Sequence, residues 1–206
     1  EAAHTPLSVE MQQVKFGYHE SLPVLNNVSF HVPSGHTLCI MGAAGAGKSS
    51  ILRLLTGSYR AFEGNILVNG LPIGNYDHDS LRACIGILFH QQDIFQGTLY
   101  ENITMGDTSL KMGDILELAQ KIGIYSFITS LKDGFDTMID PAGKRLSGTV
   151  TRKILLLRAL ISRPRLLLVE EPWQGFDDQS QKMIKDYLLN DTLKTTVIVA
   201  TNDEAF

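Results

Sequence analysis

The chain has 206 residues, 44% hydrophobic and 19% charged, which is the composition of a globular protein with enough length for a sizeable core. Net charge is −4, from 18 Lys and Arg against 22 Asp and Glu, with no basic run, so nucleic acid is not expected as a partner. No apolar stretch approaches the ~20 residues of a bilayer span, because Arg158, Arg163 and Arg165 interrupt the longest candidates.

Residues 7–41 alternate in the manner of strands. Val9 and Met11, then Val14, Phe16 and Tyr18, form one set, and Val28, Phe30 and Val32 form another before the turn Pro33-Ser34-Gly35. The buried strand 37–41 runs into Gly42-Ala43-Ala44-Gly45-Ala46-Gly47-Lys48-Ser49, and Ser50 opens a helix. This fits the phosphate-loop pattern G-x-x-x-x-G-K-[ST] in its required setting of strand, glycine loop and helix. The glycines let successive backbone N–H groups turn toward an anion, and the helix points its positive end at the same place. Lys48 can reach β- and γ-phosphates, and the Ser49 hydroxyl can sit on Mg²⁺. The chain is therefore expected to bind a nucleoside triphosphate.

Residues 64–68 read as a strand closed by the hairpin signal Asn69-Gly70, and 85–89 as a short apolar strand. Helical spacing follows over about 110–131 and 150–161. Two buried strands, 166–169 and 196–200, flank a helix around 179–189. Cys39 and Cys84, far apart in sequence, read as reduced thiols in buried strands rather than as a bridge. The expected fold is α/β: a P-loop NTPase parallel sheet with crossover helices, an antiparallel β layer and an inserted α-helical subdomain. The expected division is a core of 1–89 and 163–206 with a helical subdomain at about 90–162. The chain opens at Glu1 without Met and stops at Phe206, shortly after an apolar strand. It is expected to be an excised domain of a longer polypeptide.

The order of further motifs is more specific than the loop alone. Leu166-Leu167-Leu168-Val169-Glu170-Glu171-Pro172 is an apolar strand ending in two carboxylates, and upstream Leu146-Ser147-Gly148 opens a helix. Together with the phosphate loop this resembles the ATP-binding domain of ABC transporters over nearly the whole chain. Residues 94–103 (IFQGTLYENI) and 128–137 (ITSLKDGFDT) resemble the exporter branch. The resemblance implies that Tyr18 stacks on adenine, that residues 42–50 and Ser147 with Gly148 hold ATP, and that Ser49 and Glu170 serve Mg²⁺. It implies that Glu171 polarises the attacking water and that Asp177 contacts a second nucleotide-binding domain. It also implies a transmembrane domain as partner, in the same or another polypeptide, and a place on the cytoplasmic face of a membrane.

Several positions depart from the family pattern. The signature Leu-Ser-Gly-Gly-Gln is Leu146-Ser147-Gly148-Thr149-Val150 here. Thr149 adds a branched Cβ where glycine allows close approach, and Val150 removes an amide. Asn202 stands where the family has a histidine; it can hydrogen bond but cannot carry charge or move a proton. Glu170 replaces an Asp. Counting back eight residues from Thr98 puts His90 at the glutamine position that joins Mg²⁺, while a slip of one or two residues would put Gln91 or Gln92 there. The loop Trp173-Gln174-Gly175-Phe176-Asp177 replaces small residues, and its tryptophan reads as packing.

The expected function is an exporter-type ABC ATPase whose hydrolysis is slow, with Glu171, His90 and Asn202 as its catalytic set and ATP sandwiched between two domains. The alternative is a degenerate ATP-binding clamp paired with an active partner. A soluble ABC ATPase of ribosomes or DNA repair is opposed by the exporter-like segment at 95–103, and a P-loop kinase by Leu146-Ser147-Gly148.

Overall fold

The computed structural model describes residues 5–19, 22–140, 146–190 and 193–203. In chain order, the strands are β1 (Val9–Phe16), β2 (Leu25–Val32), β3 (Thr37–Ile40), β4 (Glu63–Val68), β5 (Leu71–Pro72), β6 (Ile85–Leu88), β7 (Gly97–Thr98), β8 (Met138–Ile139), β9 (Leu166–Glu170) and β10 (Thr196–Ala200). The α-helices are α1 (Lys48–Leu55), α2 (His78–Ala83), α3 (Leu99–Thr104), α4 (Met112–Lys121), α5 (Tyr125–Ser130), α6 (Gly148–Ile161) and α7 (Asp178–Leu188). They group into two compact units, one of 1–87, 164–171 and 194–206, the other of 88–163 and 172–193.

The first unit is built on two sheets. One has the order β2-β1-β4-β5, antiparallel throughout. The apolar alternation of β1 changes phase between Met11 and Val14, and the pairing slips there, with Gln13 at φ 51°. This bulge keeps Val9, Met11, Val14 and Phe16 all buried. Asn69 and Gly70, both at positive φ, turn β4 into β5 as the hairpin signal requires. The other sheet has the order β3-β10-β9-β6, with β10 parallel to both β3 and β9. β9 and β10 are buried along nearly their whole length, which accounts for their continuous apolar runs. Their register sets where the strands end. Ala200 lies opposite both Ile40 and Glu170, so three strands end level.

The second unit is mostly helical. α6 is buried almost all round, and α3 and α4 pack against it. The fully buried Asn102 ties α3 to α6. Its side chain donates to the carbonyls of Phe95 and Thr98, and Arg158 of α6 donates to its Oδ1 and backbone oxygen. α3 starts with a capping box, Thr98 and Glu101 each satisfying the other's backbone N–H.

The α/β architecture is the one expected, with parallel sheet, antiparallel layer and helical insertion. Three local expectations need correction. The helical run over 110–131 is two helices, broken where Gly123 takes φ 71°. α2 and α3 were not anticipated; each is only six residues long, too short to display a period. Cys84 is the C-cap of α2 rather than a strand residue, and both cysteines are free and half-buried.

Candidate active site

The level strand ends assemble the site in the first unit. β3 delivers the phosphate loop, β9 delivers Glu170 and Glu171, and β10 delivers Thr201 and Asn202. Ligands of parallel α/β sheets bind beyond these carboxyl ends.

Gly42 to Ala46 are exposed, while Gly47 is buried at φ 88°. A Cβ on Gly47 would stand 2.6 Å from Leu25 Cδ2 and 3.2 Å from the Val24 carbonyl oxygen, so only glycine fits. Lys48 folds back over this loop. Its Nζ donates to the carbonyls of Gly42 and Ala43 and, at 2.9 Å, to Asn202 Oδ1. A lysine offers donors only, so the Asn202 oxygen must face it, leaving the amide NH₂ as a donor on the other side. Ser49 Oγ donates to Glu170 Oε1.

Glu171 begins the chain's departure from β9 at φ 43°, an uncommon conformation for a residue with a side chain. Its N–H donates to the Ala200 carbonyl at 2.8 Å. Thr201 Oγ1 donates to its Oε2 at 2.9 Å, and the Asn202 N–H to its Oε1 at 2.7 Å. The end of β10 thereby fixes the Glu171 carboxylate and, through the Asn202 side chain, Lys48. Beneath it, burial pushes the Cys39 thiol up, with Asp203 and then Glu171 adding negative charge, so it stays a protonated thiol at neutral pH.

Tyr18 is 43% exposed, and its ring meets Phe16 and Tyr59 edge-on at 4.9 and 5.6 Å between centroids. Its hydroxyl lies 3.1 Å from Ser50 Oγ on α1, which joins the aromatic group to the phosphate helix.

The remaining expected residues belong to the second unit. His90 and Gln91 are exposed in the turn after β6, while Gln92 Oε1 accepts from the Phe89 N–H at 2.9 Å. Ser147 is the N-cap of α6, accepting from the Val150 N–H at 3.2 Å, and nothing lies within 4 Å of where a Gly148 Cβ would stand. Thr201 and the Lys48–Asn202 bond were missed from sequence. The sequence suggests a phosphate contact for Asn202, and no local pattern marks a partner 154 residues away.

Residues 25–174 match the family model described as ABC transporter. The chain belongs to the ABC transporter family. The ABC-type transmembrane transporter verA of Clonostachys rogersoniana is 34% identical over 198 residues, covering 94% of this chain and 16% of that protein. The ATP-dependent lipid A-core flippase of Saccharophagus degradans is 33% identical over 195 residues, covering 93% and 33%. The structure of a bacterial Atm1-family ABC exporter with ATP bound superposes with a TM-score of 0.90 at 31% identity, covering 98% of this chain and 35% of that one. The chain thus spans a third or less of the length of these curated relatives. It is an ABC-type nucleotide-binding domain of the ATPase class. No helix among the described residues of this ABC domain is long and apolar enough to cross a membrane.

Proposed function

We propose that this chain is the ATP-binding domain of an exporter-type ABC transporter, coupling ATP binding and slow hydrolysis to transport. It would work at the cytoplasmic face of a membrane with a transmembrane domain and a second nucleotide-binding domain, identical or not. The observation that carries this is the convergence of Lys48, Ser49, Glu170, Glu171 and Asn202 on three strand ends in register.

The phosphates of ATP would lie along the amides of 42–49, with Lys48 offsetting charge on the β- and γ-phosphates. Tyr18 would stack on the adenine. Mg²⁺ fits the donor set, since a hydroxyl and a carboxylate already touch at Ser49 and Glu170, and this ion takes one or two such ligands beside substrate phosphates. Bound there, it would neutralise phosphate charge. Glu171, held by Thr201 and Asn202, would accept a hydrogen bond from the attacking water and take its proton. The water oxygen bonds to the γ-phosphorus, the bond to the β,γ-bridging oxygen breaks, and ADP and phosphate leave. The NH₂ of Asn202 can donate to the γ-phosphate but cannot supply the positive charge of an imidazolium. Ser147 and Gly148 would meet the nucleotide of the partner domain, and Thr149 with Val150 weaken that contact.

Slow turnover follows from these departures. We expect Mg²⁺-dependent ATPase activity to rise when Asn202→His is combined with Val150→Gln. Fast turnover by the unmodified chain would overturn the slow-hydrolysis part, and absence of ATP binding would overturn the whole.

A further inference from the structure

The side chain of Thr149 binds the loop between β9 and α7 to the start of α6. Thr149 follows Gly148 on the first turn of α6, and its Oγ1 donates to the Gly175 carbonyl at 3.1 Å. Lys153 lies one turn further along the same face. It is buried; its Nζ donates to Ser180 Oγ at 2.9 Å and to the Gly123 carbonyl at 3.0 Å, and lies 5.4 Å from the centre of the Phe176 ring. The loop is filled from inside by Trp173 and Phe176, 3% and 6% exposed. The Phe176 N–H donates to the Trp173 carbonyl, and Gln181 Nε2 donates to the Phe176 carbonyl. Asp177 then caps α7 by accepting from the Ser180 N–H.

Three unusual residues, Thr149, Trp173 and Phe176, therefore meet in one assembly within the second unit. A glycine at 149 would have no hydroxyl to hold Gly175, and small residues at 173 and 176 would leave the loop without its core. We propose that Thr149 is a positioning residue: its hydroxyl fastens the 173–177 loop to the first turn of α6, so that loop and helix start shift as one body when nucleotide is engaged. The coupling to nucleotide rests on the assignment of Ser147 and Gly148 as nucleotide-facing residues. The fastening does not.

Trp173 is the only tryptophan of the chain, so its fluorescence reports this loop alone. The test is acrylamide quenching of the 206-residue chain as wild type, Thr149→Ser, Thr149→Val and Thr149→Ala, with far-ultraviolet dichroism confirming equal folding. Losing a neutral hydrogen bond shifts local opening about fivefold, so the quenching constant of the Val and Ala variants should rise at least about twofold while Ser stays near wild type. Quenching of Val and Ala equal to wild type, or Ser behaving as they do, overturns the fastening. In a second arm with ATP and Mg²⁺, at a chain concentration where sedimentation shows two copies associated, wild type and Ser should change their quenching while Val binds ATP and associates without that change. An associated wild type with no change at Trp173, or a Val variant that responds fully, overturns the coupling, as does a wild type that binds ATP and stays monomeric at every concentration. A wild type that binds no ATP would instead refute the proposed function, with the fastening still decided by the first arm.

Discussion

Lys48 is held by acceptors from both ends of the chain, two carbonyls of its own loop and the side chain of Asn202. Replacing it with alanine leaves the phosphate site without its positive charge. The Lys48→Ala chain should lose at least ~100-fold in ATP affinity by calorimetric titration, about 3 kcal/mol, as for the loss of charge-assisted bonds. Gly47 gives a second check. A Cβ there meets Leu25 and the Val24 carbonyl oxygen at a φ that disfavours side chains, so Gly47→Ala should lower unfolding stability by roughly 1–3 kcal/mol in urea titration and weaken ATP binding together. The loop was legible because its pattern is local and its glycines have one purpose. Thr201 was not, because its importance lies in a hydrogen bond to Glu171 on a neighbouring strand, and a threonine after an apolar run carries no such signal. Tyr18 was chosen for its ring; its hydroxyl contact with Ser50 needed coordinates.

Two helix ends of this protein are capped by carboxylates and so depend on pH. Asp77 caps α2 and Asp177 caps α7, each accepting from a serine three residues on. Hydrogen bonds from Ser80 hold the Asp77 carboxyl below its usual range, and those from Ser180 do the same for Asp177. A carboxyl lowered in the folded state binds fewer protons than in the unfolded chain. Its contribution is therefore complete above the ordinary carboxylate range, near about pH 4, and is lost as pH falls through the folded value. The thermal midpoint should drop on acidification below about pH 4, and less steeply in Asp177→Asn. Removing the cap of α6 with Ser147→Ala should cost about 1 kcal/mol in urea titration at neutral pH. The longer strands and α6 were legible from period and burial. The run over 110–131 was not resolved into two helices because apolar spacing continues through Ile122 and Ile124, while Gly123 between them turns the backbone to positive φ. The T-x-x-E box of Thr98 and Glu101 was present in the sequence and would have announced α3.

At the scale of the molecule, function depends on strand register. β3, β10 and β9 end together, and from those ends come the glycine loop proposed to hold phosphates, the pair of carboxylates, and the residues that hold Glu171. A continuous apolar strand shows that it is buried, but not which neighbour it pairs with; the motif order supplied the fold class, and the pairing supplied the site. The residues at 149, 150 and 202 were equally plain in sequence. That Thr149 makes a bond of its own to Gly175 was not, since its acceptor is a backbone carbonyl. The proposed function requires this ABC domain to hydrolyse ATP with Glu171 facing the water. The most direct measurement is phosphate release from Mg²⁺·ATP by wild type and Glu171→Gln, with the ATP dissociation constant of each determined alongside. The two proteins should match in ATP affinity, with a release rate at least ~100-fold lower in the variant, the scale of losing a general base. Equal release rates in the two proteins would contradict it.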